Sequence, residues 1–153
     1  MSKVIDALNK LLRWELTSID QYTRNAALYE DWGLTKLHAR IAHEADDERG
    51  HAKMLIDRIL LLGGNPDLES RHSLPPCPDV PTMLKGDLEL ELQNATDLKA
   101  SIQLCEAEQD FVSRAMLVSI LKDTEEDHAY WLRQQLGLIE RLGLENYLQA
   151  QVG

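Results

Sequence analysis

Four stretches of this chain repeat apolar residues at alternating intervals of three and four, the period of one face of an α-helix. The first carries Ile5, Leu8, Leu12, Ile19, Tyr22, Ala26 and Tyr29, and the second Ile41, Ala45, Ala52, Leu55, Ile59 and Leu62. The third carries Leu84, Leu88, Ala95, Leu98, Ile102 and Cys105, and the fourth Val118, Leu121, Leu132, Ile139 and Leu142, with the polar His128 and Gln135 on the same face. Each stripe is interrupted once by a glutamate: Glu15, Glu48, Glu91 and Glu125 in turn. A chain patterned this way must bury four helical faces together and accommodate four carboxylates at core positions.

The helix ends can be read from turn chemistry. The first helix runs from about Lys3 to Trp32 and ends near Gly33. The second starts near Thr35 and stops at Gly63-Gly64, where glycine relieves the backbone strain of a helix terminus. Residues 65–80, with "NPD" and "PPCPDVP", form the only long loop. The third helix starts near Pro81 and runs to about Gln109. After a break near Asp110 the fourth covers roughly Phe111 to Leu142, and "LENYLQAQ" after Gly143 is a short fifth helix. Short links join the first pair and the last pair, so each pair is antiparallel. The long loop can cross the length of the bundle. The expected architecture is one all-α domain over residues 1–153: an antiparallel four-helix bundle with one crossover and a short C-terminal helix.

Composition narrows the function. The formal net charge is −10 and no run of Lys or Arg stands out, which disfavours nucleic acid and anionic membranes and favours cations. The longest aliphatic run, "ILLL" at 59–62, is too short for a membrane span, and "MSKVIDALNK" lacks the apolar core of a signal peptide. The two cysteines, Cys77 and Cys105, have neither metal-ligand spacing nor the pattern of a disulfide framework. A cytoplasmic protein is expected.

Four buried carboxylates repel one another, and burying each as an ion costs several kcal/mol. No Lys or Arg lies on the stripes to neutralise them. Two of the glutamates are followed three residues later by histidine: Glu48 with His51, and Glu125 with His128 in "EEDH". On an α-helix, residues three apart share a face. Two Glu-x-x-His pairs plus one glutamate from each remaining helix form the ligand set of a di-iron or di-manganese carboxylate bundle. Four carboxylates and two neutral imidazoles balance two divalent cations, and zinc also suits such donors. Gly50 weakens the helix between Glu48 and His51 by about 1 kcal/mol relative to alanine. It either admits a close neighbour or reflects surface drift.

The segments "ELTSIDQY", "EADDERGHAKMLIDRILLLGGNP", "DLELE", "DFVSRAML", "EEDHAYWLRQQLGLI" and "LENYLQAQ" together resemble the ferritin superfamily, and bacterioferritins most closely. That resemblance implies a ferroxidase centre holding two iron ions, with Glu15 and His51 on one iron and Glu91 and His128 on the other. Glu48 and Glu125 would bridge them. It implies Fe(II) oxidised by O2 or H2O2, and ferric mineral stored in a hollow shell of twenty-four subunits. The alternatives are a peroxidase-like di-metal enzyme without storage and a structural subunit of a mixed shell.

Two features depart from the family. Bacterioferritins often bind haem through a methionine immediately after the helix-B ligand glutamate; here that place holds Arg49, whose guanidinium cannot act as a thioether ligand. No haem is expected in a homopolymer, although co-assembly with a haem-binding subunit stays open. Met54 does not match the ligand position and reads as packing. "KDTEEDH" is one residue longer than the family segment, an excess that a π-bulge can absorb. Glu126 competes with Glu125 for the bridging role, and Glu125 is preferred because it completes Glu-x-x-His.

Among the remaining residues, Tyr22 either donates a hydrogen bond to a ligand carboxylate or satisfies another buried acceptor. Glu44, Asp47 and Asp123 read as a solvated face, with an inner-surface or access site as the alternative. His38, His43 and His72 read as surface or packing residues, and Trp14, Trp32 and Trp131 as packing.

Overall fold

A computed structural model describes residues 2–153. Four rods fill it. Helix α1 spans Ser2–Asp31, α2 Thr35–Leu61 and α3 Val80–Ala107. The fourth rod is composite: α4 (Phe111–Lys122), a π-helical turn (Asp123–Ala129) and α5 (Tyr130–Leu142). Helix α6, Leu144–Gln151, follows Gly143. No helix among the described residues is long and apolar enough to cross a membrane.

Local chemistry sets each end. Gly33 adopts φ +78°, in the left-handed region where a side chain would be strained, and lets Leu34 N–H close onto Tyr29 C=O at 2.9 Å. Asp79 caps α3 by accepting from Thr82 N–H at 2.8 Å, which places the helix start one residue before Pro81. At the α3–α4 corner Asp110 accepts from Ser113 N–H at 3.0 Å and pairs with Arg58 of α2 at 2.9 Å. That ion pair ties the corner to α2.

The crossover runs alongside α1. Asp67 N–H donates to Asn9 Oδ1 at 2.9 Å, Arg13 donates to the Arg71 carbonyl at 3.0 Å, and Arg24 to the Pro75 carbonyl at 3.0 Å. His72 stacks on Trp14 with ring centroids 3.7 Å apart. The loop therefore advances in step with α1 and delivers α3 antiparallel to it.

Packing divides the core in two. One half gathers Tyr22, Tyr29, Leu37, Ile41, Met83, Leu84, Leu132 and Tyr147. The other gathers Leu8, Leu11, Leu12, Leu55, Ile59, Leu98, Leu117 and Ile120. Apolar burial, worth about 25 cal/mol per Å², holds each half. Glu15, Glu48, Glu91, His51 and His128 are buried on the same four rods between these halves.

The fourth rod departs from its expected stripe. Leu117, Ile120 and Thr124 are buried where Val118, Leu121 and Glu125 were expected, while His128, Leu132 and Gln135 are buried as expected. The π-turn explains the slip. Its i→i+5 bonding takes up the extra residue, so the inward face moves back by one position before the turn.

Candidate metal centre

Two imidazoles organise the site, each turning Nδ1 inward and Nε2 outward. His51 Nδ1 lies 3.7 Å from Glu15 Oε2 and 3.6 Å from Glu48 Oε2. His128 Nδ1 lies 2.9 Å from Glu48 Oε1 and 3.3 Å from Glu91 Oε1. The two rings stand 6.2 Å apart, with Glu48 facing both.

Around this inner set sit hydrogen-bond donors from α1 and α3. Tyr22 donates to Glu91 Oε1, and Asn94 Nδ2 donates to Glu15 Oε1 at 3.1 Å. Tyr22 thus donates to one of the buried glutamates of the pocket rather than to an acceptor elsewhere in the core. These contacts leave Glu15 Oε2, both oxygens of Glu48, Glu91 Oε2 and His51 Nδ1 buried without a well-aligned hydrogen bond. Five electron-rich atoms in one pocket, lacking such partners, are the donor set a cation needs. Glu15, Glu48 and His51 can place ligand atoms within 4.8 Å of one another, as can Glu48, Glu91 and His128. Glu48 is common to both groups.

The charges are strongly coupled. Burial, reinforced by the charge of Glu48, pushes the Glu15 carboxyl up to about 8. Burial also raises Glu91, against hydrogen bonds from His128 and Tyr22. Glu48 falls below its ordinary value: burial and the charge of Glu91 push it up, but the adjacent Glu15 carboxyl and the His128 and His51 imidazoles outweigh them. Burial lowers both imidazoles, yet the surrounding carboxylates win, lifting His51 to about 11 and His128 further. Protons and cations therefore compete for the same pocket.

Outside the imidazoles lies an acidic rim that the sequence reading had treated mainly as a solvated face. Glu44 is buried, lies 2.5 Å from His128 Nε2 and is held by Arg40 Nε at 2.6 Å. Asp47 lies 3.2 Å from the same Nε2, and Asp123 lies 3.0 Å from His51 Nε2. Such partners fix the orientation of an imidazole ligand. Glu44, Asp47, Asp127 and His128 form a third group able to hold an ion. An open hollow of about 460 Å³, lined in part by Asp46, Asp47, Gly50, Asp123 and Asp127, leads to His51. A Cβ on Gly50 would meet nothing within 4 Å, so no close neighbour explains this glycine. Glu44 occupies a helix position adjacent to Ala45, and the sequence held no sign that a partner from another helix would bury it.

Glu125 requires a correction. It does not enter the pocket: its side chain is 43% exposed and lies 2.9 Å from Lys99 Nζ. Glu126 is exposed as well. The Glu-x-x-His argument assumes α-helical winding, and the wider π-turn rotates a residue three places before His128 off the shared face.

The other singled-out residues have ordinary partners. His38 lies 2.8 Å from the Ala26 carbonyl and 3.0 Å from Glu30, and His43 is exposed, 3.5 Å from Asp47. Trp14 donates to Asp97 at 2.6 Å, Trp32 packs edge-on against Tyr29, and Arg40 lies over the Trp131 ring. Met54 packs against the second half of the core, and Arg49 is half exposed, paired with Asp46 at 2.5 Å.

The sequence pattern of the ferritin-like domain matches residues 5–142. The chain is 52% identical over 149 residues to a bacterial ferritin of Synechocystis sp., covering 97% of this chain and 96% of that protein. It is 53% identical over 150 residues to a bacterial ferritin of Pseudomonas aeruginosa, covering 98% and 97%. With a bacterioferritin of Mycobacterium leprae it shares 38% identity over 144 residues, covering 94% and 90%. A four-rod bundle with one crossover, a carboxylate–imidazole pocket between its core halves and these full-length similarities place the chain in the ferritin superfamily.

Proposed function

We propose that this chain is an iron-storage subunit with ferroxidase activity. Fe(II) is the substrate, with one ion taken by Glu15 and His51, a second by Glu91 and His128, and Glu48 shared between them. The observation that carries this reading is the pair of buried ligand groups with Glu48 in common. Two Fe(II) ions supply two electrons together. O2 with two protons then gives H2O2, or H2O2 with two protons gives two waters. Carboxylate and imidazole donors stabilise the added charge of Fe(III). The acidic rim draws cations towards the pocket, and Asn94 and Tyr22 hold the ligand carboxylates in place.

Storage requires assembly. Leu61, Phe111, Val112 and Tyr130 are exposed apolar side chains that contacts with further copies of the chain would cover. The proposed assembly is the closed shell of twenty-four subunits, as a homopolymer without Met-ligated haem or mixed with a haem-binding subunit. Loading the purified protein with Fe(II) under air tests the proposal. Storage predicts an electron-dense core inside a closed shell and far more than two irons per chain. Fast oxidation with only two irons retained per chain would instead favour the peroxidase-like reading.

A further inference from the structure

His128 stands near the end of the π-turn, just before the winding returns to α-helical at Tyr130. An extra residue absorbed one place along would turn a different side chain of the fourth rod inward. The register that points His128 at the pocket therefore calls for contacts from outside the rod. Lys99 of α3 supplies one on the exposed side, 2.9 Å from Glu125. A closer set comes from Arg40 of α2.

Arg40 makes three contacts at once. Its Nε donates to Glu44 Oε1 at 2.6 Å, its Nη2 donates to Asp127 Oδ1 at 3.0 Å, and its guanidinium carbon lies 4.6 Å from the centre of the Trp131 ring. Asp127 directly precedes His128 in the π-turn, and Trp131 lies in the first turn of α5. Arg40 thus grips the fourth rod on both sides of His128. Through Glu44 it also reaches the imidazole, because Glu44 Oε2 lies 2.5 Å from His128 Nε2. A guanidinium suits this place: its edge carries donors in a fixed fork while its face lies on an aromatic ring.

Charge alone does not account for Arg40. The side chains of Arg40 and Asp127 are 29% and 52% exposed, so their attraction is screened and adds little stability. A positive charge in the acidic rim also repels the cations that the rim attracts. We propose that Arg40 is a positioning residue for His128. It holds the π-turn in register through Asp127 and Trp131, and holds His128 Nε2 through Glu44, so that Nδ1 faces Glu48 and Glu91. This rests on the carboxylate–imidazole pocket being the metal centre.

The test is anaerobic titration of the assembled protein with Co(II), read by its visible absorption. Two reference variants assign the binding steps: Glu15→Ala should lose the step on the His51 side, and His128→Ala the other. Arg40→Met keeps a long side chain against Trp131 but has no fork. It should weaken the His128 step by about tenfold, the low side of losing a partner around a metal ligand, and change the absorption of that step. The His51 step should stay within about twofold, as for a surface substitution. Arg40→Lys keeps the charge without the fork and should show the same selective loss; it decides the matter if Arg40→Met fails to assemble. A charge acting only on the rim predicts tighter binding in Arg40→Met and wild-type binding in Arg40→Lys. Either of those results, or both steps weakening together as from structural damage, would overturn the proposal. If either reference variant keeps both steps, the metal-centre reading has failed, and the positioning role with it.

Discussion

Glu48 Oε1 lies 2.9 Å from His128 Nδ1, while its other oxygen lies 3.6 Å from His51 Nδ1. One carboxylate from α2 thus faces an imidazole of its own helix and one from the fourth rod. Glu48→Gln keeps the volume but removes the charge and leaves an amide nitrogen facing an imidazole. Isothermal titration with Zn(II) should show weakening at both buried sites. Initial Fe(II) oxidation should slow by more than the roughly 10–100-fold typical of losing an outer-shell partner. Weakening at one site only would show that Glu48 is not shared.

Glu125 provides the opposite expectation. Its partner is Lys99, outside the pocket, so Glu125→Ala should change stability by no more than about 0.5 kcal/mol, as for most surface substitutions. Initial oxidation should stay within about twofold of wild type, the rate equivalent of that energy. A loss as deep as that of Glu48→Gln would mean that the π-turn rewinds to bring Glu125 inward during turnover.

The pocket also sets a pH dependence. Glu15 is raised from 4.5 to about 8, Asp87 from 3.8 to about 8, and His51 from 6.5 to about 11. A raised value means that the folded chain binds more protons than the unfolded one, so stability falls as pH rises. The Glu15 and Asp87 contributions fade between about pH 4 and 8. The His51 contribution is complete below about 6.5 and is lost as pH approaches 11. Glu48 is lowered, so its contribution has the opposite sign and disappears only in acid. In EDTA, the thermal midpoint should fall between roughly pH 5.5 and 8, the window of these shifts. Zn(II) affinity should rise over the same range, because protons and cations compete. A flat metal affinity across that range would contradict this.

Arg49, at the place where the family resemblance implies a haem-ligating methionine, pairs with Asp46 at 2.5 Å. Purified homopolymer grown with ample haem should show no Soret band. A band at one haem per two chains would show that another residue ligates the iron.

Most of the bundle was legible in the sequence because period and turn chemistry act locally. The stripes of α1, α2 and α3 hold in the structure, including the inward Glu15, Glu48 and Glu91. The fourth stripe failed before His128 because the register there depends on where an extra residue is absorbed. The sequence revealed that residue and the means of absorbing it, but α-helical spacing was still assumed for Glu125. Glu44 was misjudged for a different reason. Its burial depends on His128 and Arg40, and contacts between helices leave no trace in one helix's periodicity. Asp87 escaped notice likewise, because Gln21 and Asn25 reach it from α1.

The central claim is that one buried pocket binds two cations through five side chains. Anomalous diffraction at the zinc edge from Zn(II)-soaked crystals tests it most directly. Two peaks per chain are expected, one against Glu15, Glu48 and His51 and the other against Glu48, Glu91 and His128. Zinc confined to the acidic rim, with nothing between those residues, would contradict it.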